Sequence, residues 1–85
     1  MYSLGDAEAE LIEAQVLPGS ALAGQAVRDL KLPRGALIAA IEKGGAILKP
    51  KPGIRLEPGD LVLIFALASD IEEVERLLQV SADWF

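Results

Sequence analysis

The chain has 85 residues, 52% of them apolar, and a formal net charge of −5, which suits one domain and no more. It contains no cysteine and no histidine, which excludes disulfides, thiolate metal sites, the usual general base and the commonest transition-metal ligand. A domain this small buries a modest fraction of its surface, so pairing with another subunit is the expected source of extra stability.

Residues 1–9, MYSLGDAEA, are acidic and lack an apolar centre, so they read as a flexible N-terminal segment and not as a signal peptide. Glu10 to Leu17 reads as a first strand, with Ile12, Ala14 and Val16 on one apolar face. Pro18 and Gly19 stop it. Ser20 suits the cap of a helix over Ala21 to Leu30, whose Leu22, Ala26, Val27 and Leu30 form one stripe. Gly24 inside that helix costs about 1 kcal/mol relative to Ala. Pro33 and Gly35 end the segment.

Ala36 to Lys43 is a second strand, and Gly44-Gly45 is a two-residue hairpin turn leading into a third, Ala46 to Lys49. In that register Lys43 faces Ala46 and Ile41 faces Leu48. The following stretch, PKPGIR, is too rich in proline to pair centrally in a sheet. Glu57-Pro58-Gly59-Asp60 fits a type II turn, with Asp60 tying the turn through nearby backbone N–H groups. Leu61 to Ala68 is a fourth strand, continuously apolar and expected to be buried on both faces. It is far too short to span a bilayer as a helix. Ser69 with Glu72 forms a capping box for a last helix ending near Gln79, with Ile71, Val74, Leu77 and Leu78 as its stripe.

This order, β-α-β-β-β-α, predicts an α+β two-layer sandwich: a mainly antiparallel four-stranded sheet with two helices. The domain is expected over 10–80, with 81–85 as a C-terminal tail.

Charge is unevenly spread. Residues 1–30 carry five acids and one base, residues 31–55 six bases and one acid, and residues 56–85 seven acids and one base. A basic middle between acidic ends either concentrates an anion or is a solvated face that balances its neighbours. Nucleic acid is disfavoured as a partner, because the net charge is negative and no aromatic residue stands among the bases.

No catalytic set assembles. The Gly19-to-Gly24 segment has P-loop glycine spacing, but Gln25 stands where lysine is needed and no Ser or Thr follows. The four serines have no histidine to activate them. Glu72, Glu73 and Glu75 lie on the outward part of an amphipathic helix. Asp60 and Asp70 sit at opposite ends of the last strand, about 27–30 Å apart if it is extended, and cannot share a metal along it. The expectation is a binding domain, neither an enzyme nor a metal protein.

The ordered set LPGSALAGQAVRDLKLP, LIAAIEKGG, Pro50, and LEPGDLVLIFA leading into DIEEVERLL resembles the TrkA-C domain, also called RCK-C. The resemblance covers Glu10 to Leu78. The chain departs from the family at Glu42-Lys43-Gly44-Gly45, where Arg-x-Gly or Arg-Gly is frequent, near Ile54, where Thr is common, and at Ala66, where Gly often ends the strand.

The resemblance implies a cytoplasmic regulatory domain at the inner face of the membrane, acting on a potassium or other cation channel or transporter subunit. It implies a homodimer, an RCK-N domain as companion, and no insertion into the membrane. It further implies a small ligand at the dimer cleft, with cyclic di-AMP or another small anion as the kind of molecule bound. On that basis Ile41, Lys43, Lys49 and Pro50 are the ligand-binding residues to expect. Read from the residues alone, Ile41 and Pro50 serve equally as core and turn, and the lysines as solvated charge. A structural dimerisation module with no ligand of its own is the other function that fits.

Overall fold

Strand alternation and two glycine-marked reversals build most of this chain. The computed structural model describes residues 2–4 and 8–79; the expected tail 81–85 lies outside the described residues, as do residues 1, 5–7 and 80. Five strands, β1 (Tyr2–Leu4), β2 (Ala9–Gln15), β3 (Ala36–Lys43), β4 (Ala46–Leu48) and β5 (Leu61–Leu67), precede one helix, α1 (Ile71–Leu78). The sheet order is β1-β2-β5-β3-β4, and every pairing is antiparallel. β5 is therefore central, although it is last in the chain. The fold is the expected α+β two-layer arrangement, with one strand more and one helix fewer than the sequence reading.

The added strand is β1, which pairs with β2 from Tyr2↔Leu11 to Leu4↔Ala9. The missing helix is the segment 21–30. It contains turns and a single 3-10 turn at Val27–Asp29. Gly24 has φ +82°, outside the helical region, and the chain leaves the helical path there. The backbone N–H groups that a helix would bond internally instead bond the 52–56 segment: Gly24 N to Leu56 O at 2.8 Å, Val27 N to Ile54 O at 2.9 Å and Arg28 N to Pro52 O at 3.0 Å. Leu56 N returns a bond to Gln25 O at 2.8 Å. The apolar stripe is still used, since Leu22 and Ala26 are buried and Val27 and Leu30 pack beside them. Burial explains the stripe without a helix.

The β3–β4 hairpin has the predicted register, with Lys43↔Ala46, Glu42↔Ile47 and Ile41↔Leu48. Gly44 and Gly45 have φ +56° and +89°, the two positive values such a turn requires. At the next reversal Asp60 N bonds Glu57 O at 3.0 Å, and the Asp60 carboxylate accepts the Glu57 N–H at 2.9 Å. That turn is also tied to the end of β2, where Val16 N bonds Asp60 O at 2.7 Å and Gly59 N bonds Val16 O at 2.9 Å.

The start of α1 differs from the predicted capping box. A 3-10 turn, Ala68–Asp70, precedes the helix, Asp70 is its N-cap residue, and no side chain caps it. The Asp70 carboxylate accepts the Gly35 N–H at 2.9 Å instead, which ties the start of β3 to the start of α1. The inserted turn carries Ser69 one position outside the cap, so it cannot fill that role.

One face of the sheet is covered. Ile12, Ile38, Ile41, Val62, Ile64 and Ala66 project into a core closed by Leu22, Leu56 and Val74. Along β5 the pattern alternates: Val62, Ile64 and Ala66 are buried, whereas Leu61, Leu63 and Phe65 are half-buried. This corrects the expectation of burial on both faces. One eight-residue helix and the 18–35 and 49–60 segments cover a single face, and among the described residues the other stays open.

Candidate functional site

The four residues nominated from sequence lie on or beside the β3–β4 hairpin, but they do not converge within one chain. Ile41 is 1% exposed and belongs to the core. Lys43 ends β3 and forms an ion pair with Asp60. Lys49 follows β4 and is exposed, and Pro50 beside it is half-buried. By the hairpin register Lys43 lies at the turn end and Lys49 at the far end of β4, about 10 Å away along the strands at ~3.4 Å per residue.

Asp60 is the best-connected polar group of this region. Its carboxylate accepts from Lys43 and from Glu57 N–H, and 12% of its side chain is exposed. Lys43 is thus held by a mostly buried carboxylate, and an anionic ligand would have to compete for it.

The concavity nearest the hairpin lies on the open face of the sheet. It is a cavity of about 240 Å³, and Glu13, Ala40, Glu42, Ile47, Leu61 and Leu63 are among its lining residues. The register explains why they meet: Glu13 and Ala40 both pair with Leu63, and Glu42 pairs with both Leu61 and Ile47. The ladder shifts between Ile38 and Ala40, a bulge of the kind that bends a strand and opens space beside it. The walls are apolar and the two charged lining groups are carboxylates. Sequence reasoning missed Glu13 and Glu42 because it assigned the site to the basic segment. The signal for Glu13 was its place among Leu11 and Gln15 on the less apolar face of the first strand, but nothing local said that this strand would lie two strands away from the hairpin.

The basic middle segment is divided in the structure. Lys43 is engaged by Asp60, and Arg55 donates from Nη1 to Gly24 O at 2.6 Å. Lys31, Arg34, Lys49 and Lys51 are exposed. Among the described residues no three Asp or Glu side chains gather to hold a metal ion, and no helix is long and apolar enough to cross a membrane.

Comparison with known proteins places this geometry in a family. The TrkA-C domain model matches residues 11–79. The Trk system potassium uptake protein TrkA of Azorhizobium caulinodans is 39% identical over 85 residues, covering 100% of this chain and 19% of that protein. A TrkA homolog of Archaeoglobus fulgidus is 32% identical over 77 residues, covering 91% of this chain and 18% of that protein. The chain spans about a fifth of the length of these relatives. Among solved structures, the RCK C domain of the potassium transport protein KtrA in complex with cyclic diadenosine monophosphate matches with TM-score 0.65 and 29% identity, over 81% of this chain and 82% of that one. An RCK domain structure at 17% identity, with TM-score 0.68 over 81% of this chain and 97% of that one, shares the fold. The family match covers most of β2, all of β3, β4 and β5, and the helix, so the chain belongs to the TrkA-C domain family.

Proposed function

We propose that this chain is a regulatory, ligand-sensing and dimerising domain of a potassium or other cation channel or transporter system. It acts at the cytoplasmic face of the membrane on a membrane-embedded subunit, alone or through an RCK-N domain, and it performs no catalysis. The observation that carries this reading is the cavity beside the β3–β4 hairpin, on a sheet face left uncovered by the described residues, in a chain 29% identical to a KtrA domain held in complex with cyclic diadenosine monophosphate. A ligand seated between two copies would favour one arrangement of the pair over another, and the membrane partner would respond to that difference.

In this reading Ile41 supports the cavity floor from beneath, Pro50 shapes its rim, and Lys49 is the accessible cation for a phosphate. Lys43 joins only by leaving Asp60. Calorimetry with cyclic di-AMP tests the proposal. Saturable heat is expected, with Lys49→Glu weakening affinity about tenfold through loss of a charge-assisted contact. Absence of heat and of any thermal shift at high ligand excess would overturn cyclic di-AMP as the ligand.

A second reading, a structural assembly module without a ligand, is favoured by one observation: Lys43 is already paired, and the charged groups lining the cavity are Glu13 and Glu42. It expects the same pairing in solution with no effect of any nucleotide.

A further inference from the structure

A second cavity lies on the other side of the sheet, in the layer that covers the core. It measures about 350 Å³, inside the ~300–1,000 Å³ range of pockets that hold small molecules. Leu22, Leu30 and Leu77 line it with apolar surface, and Gln25, Asp29 and Lys31 line it with polar groups. Leu22 is 1% exposed and forms the closed floor. Leu30 and Leu77 are half-buried walls, and the three polar residues are exposed at the mouth.

The local backbone explains how these groups meet. Gly24 has φ +82° and turns the chain out of a helical path. Ala21 N bonds Leu77 O at 3.3 Å, which sets the start of this segment against the end of α1. After the 3-10 turn Val27–Asp29, Leu30 is extended, with φ −69° and ψ 136°. Residues on either side of an extended position fall on one side of the chain, about 7 Å apart, so Asp29 and Lys31 stand together at the mouth. Among the described residues neither of them joins an ion pair, and the Gln25 side chain makes no hydrogen bond.

We propose that this cavity binds a free α-amino acid with an aliphatic side chain. Lys31 takes the carboxylate, Asp29 takes the ammonium, and the side chain rests on Leu22, Leu30 and Leu77. The Gln25 amide offers one more donor and acceptor to the head group. The lining selects a zwitterion by exclusion as well as by attraction. A plain anion meets Asp29, a plain cation meets Lys31, and an uncharged apolar molecule satisfies neither. A zwitterion without a side chain leaves the leucine floor in contact with water. Both head-group contacts are charge-assisted and reinforce each other. The site is separate from the cavity beside the hairpin, and it stands whether or not that cavity takes a nucleotide.

Calorimetry and thermal melting of the 85-residue chain with L-leucine test the proposal. Saturable heat and a rise in melting temperature are expected, because a ligand held between segment 21–31 and α1 stabilises the folded state. Three fragments of the probe check each contact. Isocaproic acid lacks the ammonium, isoamylamine lacks the carboxylate and glycine lacks the side chain; each should bind at least about tenfold more weakly. Lys31→Glu and Asp29→Lys place two like charges at the mouth, and each should weaken L-leucine at least about tenfold, whereas Lys31→Arg should keep affinity within a few-fold. Both positions are exposed, so the far-ultraviolet spectra should stay unchanged. Absence of heat and of any melting shift with L-leucine at high millimolar concentration overturns the proposal. So does a response that isocaproic acid, isoamylamine or glycine reproduces in full, and so does L-leucine binding that survives both Lys31→Glu and Asp29→Lys. Cyclic di-AMP should not displace L-leucine; displacement would mean one shared site and would also overturn it.

Discussion

Asp60 is the residue at which local and long-range order meet. Its carboxylate closes the Glu57–Asp60 turn and holds Lys43 of the neighbouring strand, while its carbonyl anchors Val16. The role expected from the Pro-Gly-Asp stretch, a turn tied by its own aspartate, holds, and the ion pair to Lys43 adds a contact that no spacing rule could supply. Asp60→Asn keeps an acceptor for Glu57 N–H but loses the charge. It should lower stability by about 1 kcal/mol, and Asp60→Ala by about 2 kcal/mol, in urea unfolding. Both should leave ligand affinity within a few-fold of the parent chain. A larger loss of affinity than of stability would make Asp60 part of the site.

At the level of elements, the contact between Gly35 and Asp70 joins the first residues of β3 to those of α1. A Cβ at Gly35 would run into the Asp70 carboxylate and the Leu67 side chain. Gly35→Ala should therefore cost about 1–3 kcal/mol by overpacking. Asp70→Ala in the same chain should cost less than the sum of the two single changes, because the clash and the hydrogen bond are one contact; urea unfolding of all four proteins measures this. α1 is too short to be stable by propensity alone, and it is fixed by Val74, which is fully buried. Val74→Ala should cost about 2 kcal/mol. The segment 21–30 teaches the complementary point. Its helical spacing of apolar residues was legible and its burial followed, but Gly24, Gln25, Val27 and Arg28 bond the 52–56 segment, 24 to 32 residues away, where a helix would have bonded internally.

For the whole molecule, the decisive quantity is the uncovered face. A chain of this size with one face covered among the described residues has little apolar burial to spare, and the proposed pairing would add stability by mass action. The melting temperature should therefore rise when protein concentration is raised a hundredfold, as read by scanning calorimetry. A melting temperature independent of concentration in the parent chain would count against pairing.

The sequence by itself determined the strand segment Ala36–Lys43 and, one residue too long, the strand Leu61 to Ala68 that ends at Leu67, the hairpin register through Gly44-Gly45, the reversal at Pro58-Gly59, the helix behind β5 and, through the order of these pieces, the resemblance to the TrkA-C family. Each of those signals is local: an alternation, a turn that needs positive φ, a stripe at helical spacing. Only the tertiary structure decided that β5 runs between β2 and β3, that residues 24–28 bond the 52–56 segment and no helix forms there, that Lys43 is held by Asp60, and that Glu13 meets Ala40 and Glu42 around one cavity. These depend on which distant segments pair. Backbone hydrogen bonds and packing settle that choice across the whole chain at once, and a period of two or of 3.6 residues carries no record of it.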